Sequence, residues 1–252
     1  MSLPDDITGC ARVVEQGDPD RFRTVMAAPV AARHILFPLY AFNVEVARAP
    51  WVTQEPMIAE MRLQWWRDAL EEIGAGGAVR KHEVTTPLAG MLSPAQAARL
   101  DEAVAARRWD IYKDAFEVQT HMDAYLDQTS GHLMWTAAEL LGAPIEAEAA
   151  VRDVAFAAAC AAFLRAVPAL AEAGRIPLLD GTHAGVAALA RRARGRLRRP
   201  RIPQSARPAL WPAIGVDKVL DQVTRDPSVV GDGRLLAGLT PLRLSWAVLT
   251  GR

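Results

Sequence analysis

Residues 155–164 read AFAAACAAFL and form the most apolar part of a stretch that runs from about Ala147 to Ala173. Ten residues are too few for a membrane span, which needs about 20 mostly apolar residues. Alanine is the strongest helix former and the most common residue of this chain. The stretch therefore predicts a buried helix at the centre of a helical core.

Helical patterns continue on the N-terminal side of this stretch. Apolar residues recur at helical spacing from about Glu55 to Ile73, where glycines follow. Ser93 and Pro94 are typical of a helix start, and the helix is expected to run towards Tyr112. Two further helices are predicted from about Val30 to Arg48, kinked at Pro38, and from about Thr120 to Leu141. Because no alternating pattern typical of strands stands out, the sequence predicts an all-α fold.

Composition and motifs exclude several classes of function. The chain has 252 residues, and its 29 Lys and Arg residues balance 29 Asp and Glu residues, so it lacks the basic excess of nucleic-acid-binding proteins. An apolar share of 51% and a charged share of 23% are typical of a folded domain. Glycine-rich phosphate-binding motifs and the nucleophile elbow are absent from the sequence, which argues against dehydrogenases, kinases and hydrolases.

The two cysteines and the N-terminal sequence indicate in which cellular compartment the protein is expected. The two cysteines, Cys10 and Cys160, match no metal or redox spacing and fit a reducing environment. The first ten residues lack the basic and apolar regions of a secretory signal. We therefore expect a cytoplasmic protein with one domain over residues 1–252.

The segment 181–216 is basic and rich in proline and arginine, with no carboxylate between Asp180 and Asp217. Its arginines are Arg191, Arg192, Arg194, Arg196, Arg198, Arg199, Arg201 and Arg207. Such a block is typical of a solvated face or of an interaction segment. Weak contact of the Arg191–Arg207 segment with anionic lipid headgroups, or with an acidic partner, is the main alternative to a solvated face. RNA is disfavoured because no aromatic residue is interleaved from Gly181 to Arg207 to stack bases.

Three pairs of aspartates have the spacing that places two carboxylates on one helix face. They are Asp110/Asp114, Asp123/Asp127 and Asp217/Asp221. Such a pair can share a divalent cation, although exposed helix faces are the simpler explanation of the pattern. The five histidines are scattered, so zinc is not expected.

The segment Arg62–Leu70 reads RLQWWRDAL, with two adjacent tryptophans between Arg62 and Arg67. Core packing alone explains Trp65 and Trp66. Alternatively, guanidinium groups beside aromatic rings hold an anionic, apolar ligand in a pocket.

Four runs of the sequence resemble the squalene/phytoene synthase family over roughly residues 19 to 180. They are Arg33–Phe42, Arg62–Leu70, Tyr125–Gly142 and Phe163–Arg165. The resemblance implies an all-α isoprenoid synthase-type helical bundle around a central cavity. In the enzymes of this family, two polyprenyl diphosphates are joined head-to-head, and two acidic motifs hold the magnesium ions that activate the diphosphate leaving group. The resemblance also suggests cavity residues, namely Arg33, Tyr40, Arg62, Trp65, Trp66, Arg67, Tyr125 and Arg165.

The sequence departs from the family at both acidic motifs. Aligned from Tyr40, the first motif falls on Ala47, Arg48 and Trp51. Aligned on Arg165, the second motif has Ala162 in place of its asparagine, and its two aspartates are replaced by Ala166 and Leu170. A basic residue inside a cation site would repel magnesium, so we expect neither a metal site nor catalytic residues.

These departures are similar to those of a non-enzymatic branch of the family, the phytoene-synthase-like assembly factors of respiratory complex I. The resemblance implies a catalytically silent protein that helps a membrane-bound respiratory subunit or assembly intermediate to mature, or one that binds a prenyl lipid. It implies no cofactor, and a position on the inner membrane as a peripheral protein. The alternative is an active head-to-head prenyltransferase that uses magnesium at another carboxylate set.

Overall fold

The computed structural model describes residues 5–250, and these contain helices and no strand. The all-α prediction is therefore confirmed. The helices are α1 (Asp5–Gly17), α2 (Pro19–Ala27), α3 (Val30–Arg48), α4 (Pro56–Ala75), α5 (Thr85–Ala89), α6 (Pro94–Ala106), α7 (Gln119–Leu126), α8 (His132–Leu140), α9 (Glu148–Glu172), α10 (His183–Arg196), α11 (Val216–Arg225), α12 (Ser228–Gly231) and α13 (Pro241–Thr250).

Local sequence signals explain where several helices begin and end. The Ser93 hydroxyl accepts a hydrogen bond from the Gln96 backbone N–H, and the Gln96 side chain accepts one from the Ser93 N–H in return. This capping box starts α6 at the predicted position. Helix α4 ends at Ala75 because the next residue, Gly76, adopts a left-handed conformation with a φ of 68° that favours glycine.

Two predicted helices are interrupted in the structure. The helix expected from Thr120 to Leu141 consists of α7 and α8 joined by a π-helical turn, Asp127–Gly131. The helix expected to reach Tyr112 ends at Ala106 and continues as a 3-10 turn, Arg107–Asp110, called here the 107–110 turn. π-helical and 3-10 turns keep the helical spacing of apolar residues almost unchanged, so the sequence pattern does not reveal them.

The basic segment 181–216 is mostly helical, whereas the sequence analysis favoured a solvated basic face. Helix α10 covers its first half because Val186, Ala187, Ala190 and Ala193 are buried at helical spacing beneath the arginines. A 3-10 helix, Gln204–Ala213, follows in the second half.

Helix α9 is the central element of the fold. Its residues Val151 and Ala155 belong to one hydrophobic cluster, and Phe156 and Leu164 belong to another. The helix packs against α8, α10 and α11. Within residues 5–250, Ile145–Glu172 is the one helical run that is long and apolar enough to cross a membrane, but 61% of its most apolar window is buried in the protein. Its apolar character thus fits the predicted core helix.

Candidate functional site

A cavity of about 530 Å³ lies beside the C-terminal half of α9. The end of α3, the 107–110 turn, α7 and the π-helical turn enclose the other sides. The lining residues are Ala47, Trp51, Arg107, Trp109, Asp110, Tyr125, Leu126, Thr129, Ser130, Ala159, Ala162, Phe163, Ala166, Ala169, Leu170 and Ala173. We call this space the main cavity.

Small side chains on one face of α9 leave the space open. Ala159, Ala162, Ala166, Ala169 and Ala173 all line the main cavity. Their spacing of three or four residues places them along one face of the helix. Because an alanine side chain is a single methyl group, this face forms an apolar wall that fills little of the cavity.

The structure brings together most positions that align with the family's acidic motifs. Ala47 reaches the main cavity from the end of α3, and Trp51 reaches it from the 3-10 turn Ala49–Trp51 that follows. Ala162, Ala166 and Leu170 reach it from α9. The two motif segments therefore face one shared space, although the side chains there are apolar. Trp51 is 45% exposed and does not fill the cavity.

Arg48 is an exception among the motif positions. Its side chain is 58% exposed and forms an ion pair with Glu45 at 3.2 Å on the same helix. Adjacent helical residues point about 100° apart, so Ala47 faces the cavity while Arg48 faces solvent. The expectation that Arg48 repels a cation from inside the site is therefore wrong.

Charged groups in the main cavity form one closed network on its wall. Asp110 is buried, and its carboxylate accepts hydrogen bonds from the Tyr125 hydroxyl at 2.9 Å and from Arg107 at 3.2 Å. Arg107 also donates to the Tyr125 hydroxyl oxygen at 3.0 Å. Burial raises the pKa of Tyr125, which keeps its hydroxyl protonated as a donor to Asp110. The Asp110 carboxylate is thus occupied by its protein partners.

A buried arginine that the sequence analysis missed holds the 107–110 turn in place. Arg175 donates hydrogen bonds to the backbone carbonyls of Trp109 at 3.2 Å, Tyr112 at 2.7 Å and Asp110. Its guanidinium carbon lies 4.9 Å from the ring centroid of Trp51 and 5.3 Å from that of Trp109. Arg175 therefore fixes two aromatic rings and one polar wall of the main cavity.

The donor groups of the main cavity do not fit a magnesium–diphosphate site. Magnesium bound to diphosphate is held by protein carboxylates. Asp110 is the one carboxylate among the lining residues, and it is paired with Arg107. Throughout residues 5–250, no group of three or more His, Cys, Asp or Glu side chains is arranged to hold a metal ion.

The aspartate pair Asp123/Asp127, considered as a substitute metal site, is engaged by arginines at both carboxylates. Arg192 contacts both carboxylate oxygens of Asp123, at 2.5 and 2.7 Å. Arg152 lies 3.0 Å from Asp127. A cation would have to displace a guanidinium from each of these two carboxylates, so this pair is better explained by ion pairs that join neighbouring elements.

A smaller cavity of about 240 Å³ adjoins the main cavity and shares Ser130, Ala159 and Ala162 with it. Tyr40 and Arg165, both predicted cavity residues, line this second space. Burial raises the pKa of Tyr40 to about 12, so its hydroxyl is protonated at neutral pH. With Tyr125, three of the eight predicted cavity residues thus line the two adjoining cavities.

Two of the remaining predicted residues have other roles. Arg33 donates to the backbone carbonyls of Ala28 and Met26, which satisfies acceptors at the C-terminal end of α2. Arg62 is exposed on α4 and does not line either cavity. The expectation that they line the ligand cavity is corrected accordingly.

The Trp-rich segment packs α4 against its neighbours and does not line the cavities. The Trp66 ring is buried against Phe42 at 5.5 Å between centroids. The Trp65 ring lies under the Arg80 guanidinium at 5.1 Å. Arg67 forms a two-point ion pair with Asp101, at 2.7 and 2.9 Å, which joins α4 to the neighbouring helix α6. Core packing, the simpler of the two interpretations, accounts for this segment.

Comparison with known families now adds to this geometry. The family described as squalene/phytoene synthase matches residues 14–186, which is well over half of the chain. The chain belongs to the squalene/phytoene synthase family. The matched region contains both motif segments that line the main cavity, and it ends within the basic segment.

Similar curated proteins carry the name of a complex I assembly factor. The "NADH dehydrogenase (ubiquinone) complex I, assembly factor 6 homolog" of Drosophila melanogaster is 29% identical over 166 residues, which is 63% of this chain and 50% of that protein. The human "NADH dehydrogenase (ubiquinone) complex I, assembly factor 6" is 24% identical over 172 residues, 63% of this chain and 48% of that protein. The chain spans about half the length of these curated relatives.

Solved structures of synthases share the fold. A dehydrosqualene synthase crystallised with a ligand aligns with a TM-score of 0.72 and 14% identity, over 97% of this chain and 94% of that chain. The squalene synthase HpnC from Alicyclobacillus acidocaldarius aligns with a TM-score of 0.71 and 18% identity, over 88% of this chain and 94% of that chain. These alignments confirm the isoprenoid synthase-type helical fold.

Proposed function

We propose that this chain is a catalytically silent member of its family that takes part in the assembly of respiratory complex I. One observation carries the proposal: five positions aligned with the family's acidic motifs face one cavity and are Ala47, Trp51, Ala162, Ala166 and Leu170. The fold is kept, while the groups that would hold magnesium are replaced by apolar ones.

Electrostatics supports the loss of catalysis. Ionising a polyprenyl diphosphate requires cations that bridge its oxygens, and carboxylates must hold those cations. Freeing Asp110 for this task would leave the Arg107 guanidinium without its carboxylate partner in a largely buried position, which costs several kcal/mol. An active prenyltransferase that uses magnesium is therefore the weaker alternative, and the proposed role needs no cofactor.

The names of the relatives support the assembly role. The proteins from Drosophila melanogaster and humans are both named for complex I assembly. By analogy, the partner of this chain is a membrane-bound respiratory subunit or an assembly intermediate. The corresponding location is the cytoplasm, with peripheral contact at the inner membrane, and no nucleic acid is involved.

Deletion of the gene in its source organism tests the proposed role. We expect membranes of the deletion strain to lose NADH-driven respiration and assembled complex I, while succinate-driven respiration is unchanged. Expression of the wild-type chain restores both, and so does a variant with Arg62→Ala, an exposed change outside the cavities. Normal amounts of complex I in the deletion strain would contradict the assembly role.

A second candidate function is the binding of a prenyl lipid in the main cavity. Its volume of about 530 Å³ lies within the roughly 300–1,000 Å³ that is common for small-molecule sites. The alanine face of α9, Phe163 and Leu170 supply apolar contacts for an isoprenoid chain. This function requires no carboxylates, and it is compatible with the assembly role.

Filling the main cavity tests this second function. Ala166→Phe places a ring where the alanine face leaves space, so we expect affinity for a polyprenyl quinone to fall about tenfold or more. Ala188→Phe is the matched control because Ala188 is exposed on α10. Quenching of tryptophan fluorescence by the quinone measures the binding, since Trp51 and Trp109 line the cavity. Equal affinities of the two variants would contradict binding at this site.

A further inference from the structure

The basic segment forms a second and larger groove, distinct from the main cavity and the space that adjoins it. The groove has a volume of about 990 Å³ and lies between the end of α10, residues 197–203 and the 3-10 helix Gln204–Ala213. None of the positions aligned with the family's acidic motifs lines it. We call it the arginine groove.

Arginines dominate the charge of this groove. Arg198, Arg199, Arg201 and Arg207 line it, and Arg194 lies at its α10 side. Asp217 is the one carboxylate among the lining residues. Arg198, Arg199 and Arg201 are exposed, so the groove presents positive charge to a ligand arriving from solvent.

The floor of the groove is apolar. Side chains of Leu197, Ile202, Leu210 and Ile214 line it and remain half-buried. The largely buried Trp211 ring also lines the groove and adds to this apolar floor.

We propose that the arginine groove binds an anionic phospholipid, with its phosphate at the arginine rim and an acyl chain on the apolar floor. Guanidinium groups bind phosphate oxygens through two parallel hydrogen bonds, which favours a phosphate headgroup over a single carboxylate. A free phosphate would leave the apolar floor exposed, whereas a phospholipid satisfies both parts of the groove. The inference is independent of the proposed role in complex I assembly.

An exposed apolar stripe supports a membrane as the source of the lipid. On α13, Leu242, Trp246 and Leu249 have exposures of 84%, 63% and 84%. Their spacing places them on one helix face, and leucine with tryptophan is typical of helices that lie at a membrane interface. Helix α13 begins three residues after Gly238, whose backbone lies against Ile214 and Gly215 at the end of the groove.

Sedimentation with lipid vesicles tests the proposal on the chain of residues 1–252. We expect binding to phosphatidylcholine vesicles that contain phosphatidylglycerol and much weaker binding to phosphatidylcholine alone. The rim variant Arg198→Ala/Arg201→Ala should reduce the partition coefficient about 30-fold. This follows because each basic residue contributes about 1 kcal/mol to membrane binding, and about 1.4 kcal/mol corresponds to a tenfold change. The matched control is Arg12→Ala/Arg191→Ala, which removes two exposed arginines outside the groove and should change binding less than about threefold.

Two further measurements separate the site from general charge attraction. Arg198→Lys/Arg201→Lys keeps the charge but loses the paired guanidinium donors, so it should bind vesicles more weakly than the wild type and more tightly than the rim variant. Equal melting temperatures show that all variants fold. Dihexanoyl phosphatidylglycerol below its micelle concentration should compete with vesicles, whereas inorganic phosphate at the same concentration should not. Equal losses in the rim and control variants, equal binding to phosphatidylcholine alone, or equal competition by phosphate would each overturn the proposal.

Discussion

Replacement of Asp110 by alanine is expected to lower the free energy of unfolding by about 3–5 kcal/mol. The Asp110 carboxylate is 4% exposed and forms hydrogen bonds with Tyr125 and Arg107. Its removal leaves the Arg107 guanidinium, which is only 19% exposed, without a counter-charge. Denaturant unfolding followed by circular dichroism measures the loss.

A paired substitution provides the control for this prediction. Arg107→Leu/Asp110→Leu removes both charges together, and we expect it to be clearly more stable than Asp110→Ala, because no unpaired charge remains in the wall. If Asp110→Ala unfolds like the wild type, Asp110 is not structural, and its carboxylate is then free to act as a ligand.

Replacement of Arg175 by alanine is the second large effect, with an expected loss of about 3–4 kcal/mol in the free energy of unfolding. Arg175 is 7% exposed and is hydrogen-bonded to three backbone carbonyls of residues 109–112. The variant leaves these acceptors unpaired and removes the guanidinium between Trp51 and Trp109. We expect near-ultraviolet circular dichroism to change as well, because both tryptophans lose a fixed neighbour.

Graded variants distinguish hydrogen bonding from simple loss of charge. Arg175→Lys keeps the charge but not the fork of donors, so we expect a stability between those of the wild type and Arg175→Ala. Arg62→Ala is the matched control, since Arg62 is exposed and surface changes usually stay within about 0.5 kcal/mol. A loss for Arg175→Ala no larger than the loss for Arg62→Ala would contradict the account of the 107–110 turn.

Much of the fold is predictable from the sequence because its strongest signals are local. Helix α3 has the predicted bounds, α6 begins at the predicted capping residue, and α9 agrees with its prediction to within one residue at each end. Alanine content, helical periodicity and capping residues are signals that depend only on residues close together in the sequence. They therefore identify helices before any tertiary contact is known.

The candidate site was only partly predictable. Motif spacing identified Ala47 on α3, Trp51 in the 3-10 turn after it, and Ala162, Ala166 and Leu170 on α9, and all five meet in the same space. The motif positions that helical spacing predicts line the main cavity in the structure, with the exception of Arg48. Arg48 faces solvent, and its neighbour Ala47 faces the cavity.

The arginines were the least predictable part of the site. Arg175 binds carbonyls 63 to 66 residues away in the sequence, and no local pattern indicates that contact. Arg192 was grouped with a solvated basic block, although it holds Asp123 on α7. Tertiary packing determines which group a long, flexible charged side chain contacts, so sequence spacing alone does not identify its partner.

Release of diphosphate by the purified chain tests the central claim most directly. The protein is incubated with farnesyl or geranylgeranyl diphosphate and with magnesium or manganese, beside a boiled sample and an active squalene synthase as positive control. Since Asp110 is the one carboxylate lining the main cavity and is already paired, we predict no release above the boiled sample. Metal-dependent release would contradict the account and would show that another set of carboxylates holds the cations.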